Sequence, residues 1–201
     1  MRIFALVILK LAGWRIVGEI PGPKSVLIGA PHTSNWDLFI ALLTFWTLSI
    51  PARWVGKHTI FRWPIGGLLR RLGGIPLDRT TTRDFVRQVV EWFERESELT
   101  LVIAPEGTRS RRDHWRSGFY WIAHGAGVPI ALGFADYANR IGGIGESFMP
   151  TGDTEADMER ICAFYADKTG KHPEKRSPVR LRRERADGEG ASTHADPPPP
   201  S

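Results

Sequence analysis

The chain has one cysteine among its 201 residues, Cys162, so it can form no internal disulfide and no cysteine-rich metal site. A reducing, cytoplasmic compartment is the simplest setting for such a chain. Its six histidines are scattered and show no His-Glu-x-x-His spacing, so no metal site is expected. No Gly-x-Ser-x-Gly sequence is present, and with it goes the usual signature of a serine nucleophile. Gly142-Gly143-Ile144-Gly145-Glu146-Ser147 lacks the later glycine of a dinucleotide-binding loop and reads as a flexible turn. No apolar run reaches the roughly 20 residues that a membrane-crossing helix needs. The charge-free stretch from Leu38 to Ala52, for example, has fifteen. Met1 to Lys10 imitates the start of a signal peptide, but Lys10 interrupts it and no small-x-small cleavage site follows. Neither a cleaved signal peptide nor a spanning helix is expected, and no internal repeat is visible.

What the chain does have is apolar and aromatic material, with 42% hydrophobic residues, eight tryptophans and ten phenylalanines. That suffices for one sizeable core and leaves little for a second. Aromatic side chains also gather where a protein meets lipid headgroups. The formal charge of +5 is unevenly placed: Lys168 to Asp187 holds eight Lys/Arg against three Asp/Glu. A polybasic segment can bind anionic lipid or nucleic acid, but a solvated end is the simpler reading, and no nucleic-acid partner is expected. Composition then divides the chain into three parts. Residues 1–19 are an apolar segment suited to a membrane interface, 20–170 form the domain, and 171–201 are a disordered tail, basic and then proline-rich.

Within the domain, strand-like and helix-like pieces alternate. Residues 25–29, 52–56, 74–77, 99–104 and 128–134 read as strands; 37–48, 83–98, 118–126 and 154–167 read as helices. The 83–98 helix places Phe85, Val86, Val89, Val90 and Phe93 at helical spacing, with Thr82 as its N-cap. This pattern predicts an α/β fold in a single domain, with a largely parallel or mixed central sheet flanked by helices. Sites in such folds lie beyond the carboxyl ends of strands.

Three polar clusters follow strand candidates directly. In the first, Pro31-His32-Thr33-Ser34-Asn35-Trp36-Asp37, five positions separate His32 from Asp37. Helix neighbours are three or four apart, so the two side chains meet only if the chain turns between them. Pro31, Ser34 and Asn35 supply a turn and a helix N-cap. A carboxylate on one imidazole nitrogen would leave the other free as a base; the rival reading is a local capping bond. The second cluster, Gly74-Ile75-Pro76-Leu77-Asp78-Arg79, ends a strand in arginine. The third, Glu106-Gly107-Thr108-Arg109-Ser110, follows a buried strand. Arginine suits phosphate, although Arg79 could pair with Asp78, and Arg109 with Glu106 or Asp113.

Taken in order with Gly127-Val128-Pro129-Ile130, these blocks resemble the four-block signature of the glycerolipid acyltransferases, the family that includes 1-acyl-sn-glycerol-3-phosphate acyltransferases. Gly56-Lys57 through Pro64-Ile65-Gly66 is similar to that family's basic, aromatic lead-in. The resemblance covers roughly residues 20–135 and departs from the family where Pro31, not Asn, precedes the histidine. It implies transfer of a fatty acyl group from acyl-CoA or acyl carrier protein, as co-substrate, to a lysophosphatidic acid or related lipid acceptor, with no cofactor. His32 and Asp37 would be the catalytic pair and Arg79 and Arg109 the phosphate ligands. Glu106, Gly107, Thr108 and Lys57 would complete the substrate pocket, and Val128, Pro129 and Ile130 would stand on the acyl-donor side. The place of work would be the cytoplasmic face of a membrane, peripherally bound. Two rival functions stand beside it: a thioester or lipid hydrolase with the same His32–Asp37 pair, and a non-enzymatic basic lipid- or nucleic-acid-binding module resting on the basic tail.

Overall fold

The computed structural model describes residues 1–77 and 82–182, and of residues 57, 77 and 82–84 the backbone alone. In chain order the elements are α1 (Arg2–Leu11), β1 (Arg15–Val17), β2 (Lys24–Ala30), α2 (Trp36–Leu48), β3 (Ala52–Lys57), α3 (Gly66–Arg71) and β4 (Gly74–Leu77). Then follow α4 (Thr82–Arg95), β5 (Leu99–Ile103), α5 (Gly118–Ala126), β6 (Ile130–Asp136), β7 (Ile141–Phe148) and α6 (Thr154–Tyr165). The seven strands form one mixed sheet in the order β1-β7-β6-β2-β5-β3-β4. Strands β2 to β6 are mutually parallel, β7 is antiparallel to β6, and β1 is parallel to β7.

Alternation along the strands builds two helix layers. Val26, Ile28, Leu101, Ile130 and Leu132 face α4, α5 and α6, whose Val89, Phe93, Ile122 and Ile161 close the main core. Leu27, Ala131 and Ile144 face the other way and pack against Phe45 of α2. α1 lies on α2 through Ala5, Leu9 and Leu43 and leaves its other side uncovered. Helix α5 stops because Gly127 takes a left-handed conformation (φ 60) as its C-cap.

The structure corrects several sequence-based expectations. The glycine run at 142–145 is not a turn but strand β7. A Cβ on Gly143 (φ 148) would stand 2.0 Å from the Val17 carbonyl oxygen, so glycine is what lets β7 approach β1. The candidate cap Asn35 makes no side-chain hydrogen bond; the Ser34 hydroxyl instead accepts from the Trp36 N–H at 3.2 Å. Residues 171–182, assigned by composition to a disordered tail, are packed on the domain. The Trp115 N–H donates to the Arg180 carbonyl at 2.7 Å, Trp115 and Leu181 form a β-bridge, and Val179 and Leu181 pack on the main core. Two apolar residues and a few backbone bonds suffice there, and a composition count does not register them. The rest of the tail, 183–201, lies outside the described residues.

Candidate active site

Because β2 through β6 run parallel, their carboxyl ends share one edge of the sheet, and the polar clusters are delivered to it together. His32 follows the end of β2 and Asp37 sits in the first turn of α2. His32 Nδ1 stands 3.3 Å from Asp37 Oδ2, a distance the turn between them makes possible. The same Oδ2 accepts the Thr33 N–H at 2.7 Å and the Ser34 N–H at 2.8 Å, so the carboxylate ties the turn that carries the histidine. Its other oxygen, Oδ1, accepts the Tyr137 hydroxyl at 2.9 Å. Asp37 thus both caps the loop and orients the imidazole, and the two readings of its sequence position are one arrangement.

Burial pushes the Asp37 carboxyl up, but His32, the Ser34 N–H and the Tyr137 hydroxyl outweigh it and hold it below its ordinary value. Tyr137 is pushed far up by burial and by the Asp37 charge, so it remains a neutral donor. The His32 side chain is 27% exposed and that of Asp37 only 9%, so the base is reachable while its orienting partner is shielded. With Nδ1 committed to Asp37, Nε2 is the nitrogen left to accept a proton.

Glu106 bonds the turn that carries the histidine. It is buried, and its Oε1 accepts the His32 N–H at 2.7 Å, so it fixes the backbone of the histidine from the neighbouring strand end. Burial pushes its carboxyl up against the opposing pull of that N–H. Its Oε2 has no hydrogen-bond partner; Ser177 is close enough to oppose the shift but lies outside bonding geometry. Gly107 turns the loop with φ 65, where a Cβ would stand 3.1 Å from Arg116 Nε. The Thr108 hydroxyl accepts from the Ser110 N–H at 3.3 Å. Arg109 is exposed on this loop and forms no ion pair with a described residue, Glu106 and Asp113 included. Lys57 ends β3, two strands from β2 on the same edge, with its side chain outside the described residues. Arg79 and Asp78 lie outside them altogether.

Val128, Pro129 and Ile130 are not at this edge. Ile130 pairs with Val26 near the start of β2, whereas Phe134 pairs with Ala30 beside the site. Six residues of extended chain, about 20 Å, separate the start of β6 from its carboxyl end. Val128 and Ile130 are core, and the Pro129 carbonyl accepts the Val26 N–H at 3.0 Å. The block holds the strand in register and stands away from His32.

Sequence reasoning missed Tyr137, which follows β6 at the same edge as His32. The strand-end rule extended to the segment after 134 would have found it. It also missed the segment that closes the turn from behind: the His172 N–H donates to Thr33 Oγ1 at 3.2 Å, and the Tyr137 N–H to the Thr169 carbonyl at 2.9 Å.

Fold and site together define a class: an α/β sandwich with an oriented imidazole–carboxylate pair at the carboxyl edge of its sheet. The Acyltransferase family model matches residues 16–135, more than half of the chain, and the chain belongs to that family, the glycerolipid acyltransferases. No curated protein matches the chain, and no solved structure does. Acyl transfer is therefore its chemistry. No helix among the described residues is long and apolar enough to cross a membrane.

Proposed function

We propose that the protein transfers a fatty acyl group from an acyl thioester, acyl-CoA or acyl carrier protein, to the free hydroxyl of a lysophosphatidic acid or related glycerophospholipid. The observation that carries this reading is the His32–Asp37 contact at 3.3 Å, held on a turn whose backbone Asp37 and Glu106 both grip. His32 Nε2 takes the acceptor's hydroxyl proton as that oxygen attacks the thioester carbonyl carbon. The carbon–oxygen bond forms, the carbon–sulfur bond breaks, and the imidazolium returns its proton to the departing thiolate. The negative charge of Asp37 stabilises the imidazolium between the two proton transfers. Arg109, which stands on the loop after β5 and forms no ion pair with a described residue, is a ligand for the acceptor's phosphate, and by the family resemblance Arg79 and Lys57 would join it.

Purified protein given labelled acyl-CoA and lysophosphatidic acid should yield labelled phosphatidic acid. Free fatty acid as the sole labelled product would assign hydrolysis instead, and no turnover at all would favour a binding module.

The acceptor is a lipid, and the surface suits one. α1 presents Ile3, Phe4, Val7 and Leu11 to solvent, and Trp63, 93% exposed, stands with Ile65 and Leu68 near α3. Exposed apolar groups in this number fit peripheral seating at a headgroup layer. Phe4→Ser with Val7→Ser should reduce flotation on anionic vesicles without loss of folding, because neither side chain is core. Unchanged flotation would remove α1 from membrane binding.

A further inference from the structure

With Val128, Pro129 and Ile130 at the far end of β6, the acyl donor has no assigned seat. The parallel order fixes where one can be. β5 and β6 flank β2 on opposite sides, so with the acceptor's phosphate on the β5 loop the β6 side of His32 is left for the donor. A groove of about 320 Å³ lies there. Trp14, Trp36, Phe39 and Tyr137 line it, with Arg140 and Lys171. It adjoins the reacting pair through Tyr137, whose hydroxyl bonds Asp37.

Two cations of this groove are not spent on acids. The Lys171 ammonium lies 5.2 Å from the Trp36 ring and 5.7 Å from the Tyr137 ring, and among the described residues it pairs with no carboxylate. Arg140 makes only a long bond, 3.4 Å, to the Ala12 carbonyl and pairs with no described carboxylate either. Its backbone is left-handed (φ 51), a conformation in which asparagine or glycine costs less, so the turn itself does not call for an arginine. Aromatic walls with two cations that no described carboxylate pairs suit a slender ligand whose arm carries no charge and ends in a phosphate.

We propose that this groove seats the acyl donor, with the phosphate of its phosphopantetheine arm on Lys171 and Arg140 and its thioester end brought past Tyr137 to His32. The proposal rests on the acyl-transfer reading above and adds the donor's seat to it. The phosphopantetheine arm is common to acyl-CoA and acyl carrier protein, so the groove accounts for either.

The test uses Lys171→Met, which keeps the aliphatic stem on the rings, and Arg140→Gly, which suits the left-handed backbone. Steady-state kinetics are measured with acyl-CoA, acyl carrier protein and an acyl N-acetylcysteamine thioester, which lacks the phosphate. Each variant should raise KM about tenfold for a phosphate-bearing donor, as loss of one charge-assisted contact does. kcat, KM for the phosphate-free thioester and KM for the lipid acceptor should stay unchanged. A loss confined to one of the two phosphate-bearing donors supports the groove and names the natural source. Equal losses with the phosphate-free thioester, no loss with any donor, or a shift in the acceptor's KM would each overturn it. Equilibrium dialysis of labelled CoA without acceptor separates this proposal from the reading beneath it. Weaker binding by Lys171→Met in a protein that transfers nothing would uphold the groove and sink acyl transfer to lipid. Equal binding by variant and wild type alongside normal transfer would sink the groove alone.

Discussion

On the β5 side of His32 stands a loop whose residues come from one contiguous block, Glu106 to Ser110, recognisable in the sequence by its glycine and arginine. On the β6 side stand Tyr137, Arg140 and Lys171, drawn from a hairpin and from a segment some thirty positions later. Both flanks meet the same turn, and both bond its residues: Glu106 takes the His32 N–H and Tyr137 donates to Asp37. The difference lies in how each is specified. A loop that must bend in a fixed way keeps its chemistry and its glycine adjacent, whereas a wall assembled from separate segments leaves no local pattern. The first flank carries a motif because its backbone geometry demands one; the second is defined by packing alone.

The comparison can be broken at the residue both flanks share. Asp37→Asn should lower kcat by about 10²–10⁴-fold, the range for losing the partner of a general base. Its amide oxygen can still accept the Thr33 and Ser34 N–H groups, so the variant should stay folded, with a melting temperature lowered only by loss of the carboxylate's charge. A melting temperature that collapsed together with activity would make Asp37 a cap and nothing more. On the β5 flank, Arg109→Ala should raise KM for lysophosphatidic acid about tenfold and leave a phosphate-free acceptor such as monoacylglycerol unaffected. Equal effects on the two acceptors would take the phosphate away from Arg109. On the β6 flank, Tyr137→Phe removes one donor from a charged acceptor, so kcat should fall about two- to tenfold. The Asp37 carboxyl would also rise toward its ordinary value, since a group that lowers it is gone. Its stabilising contribution, present above the unfolded carboxylate value of 3.8 and lost below it in acid, should therefore shrink. A variant with unchanged turnover and an unchanged acid unfolding curve would reduce that hydroxyl to packing.

Much of the fold was legible in the chain. The buried runs at 25–29 and 99–104 became the paired central strands β2 and β5, and the spacing of Val86, Val89 and Phe93 placed the core face of α4. His32 and Asp37 were legible as a pair, but their contact needed the turn that only the structure displays. The hidden features have physical reasons. β7 was masked by glycines that lower strand propensity yet permit β1 to approach. Residues 171–182 were masked by charge and proline, which outweigh Val179 and Leu181 in any composition count. The block order does not reveal strand direction, which sets Val128, Pro129 and Ile130 at the start of β6 and Phe134 beside the site.

The central claim is that His32 is the base that activates the acceptor hydroxyl, and the most direct measurement is acyl transfer by His32→Ala. The wild-type imidazole is partly exposed and its ring is held, among the described residues, by its contact with Asp37, so the variant should fold normally. Label transfer from acyl-CoA to lysophosphatidic acid should fall by about 10²–10⁴-fold, the span of general-base catalysis, with substrate KM values little changed. Near-normal turnover by the folded variant would contradict the account.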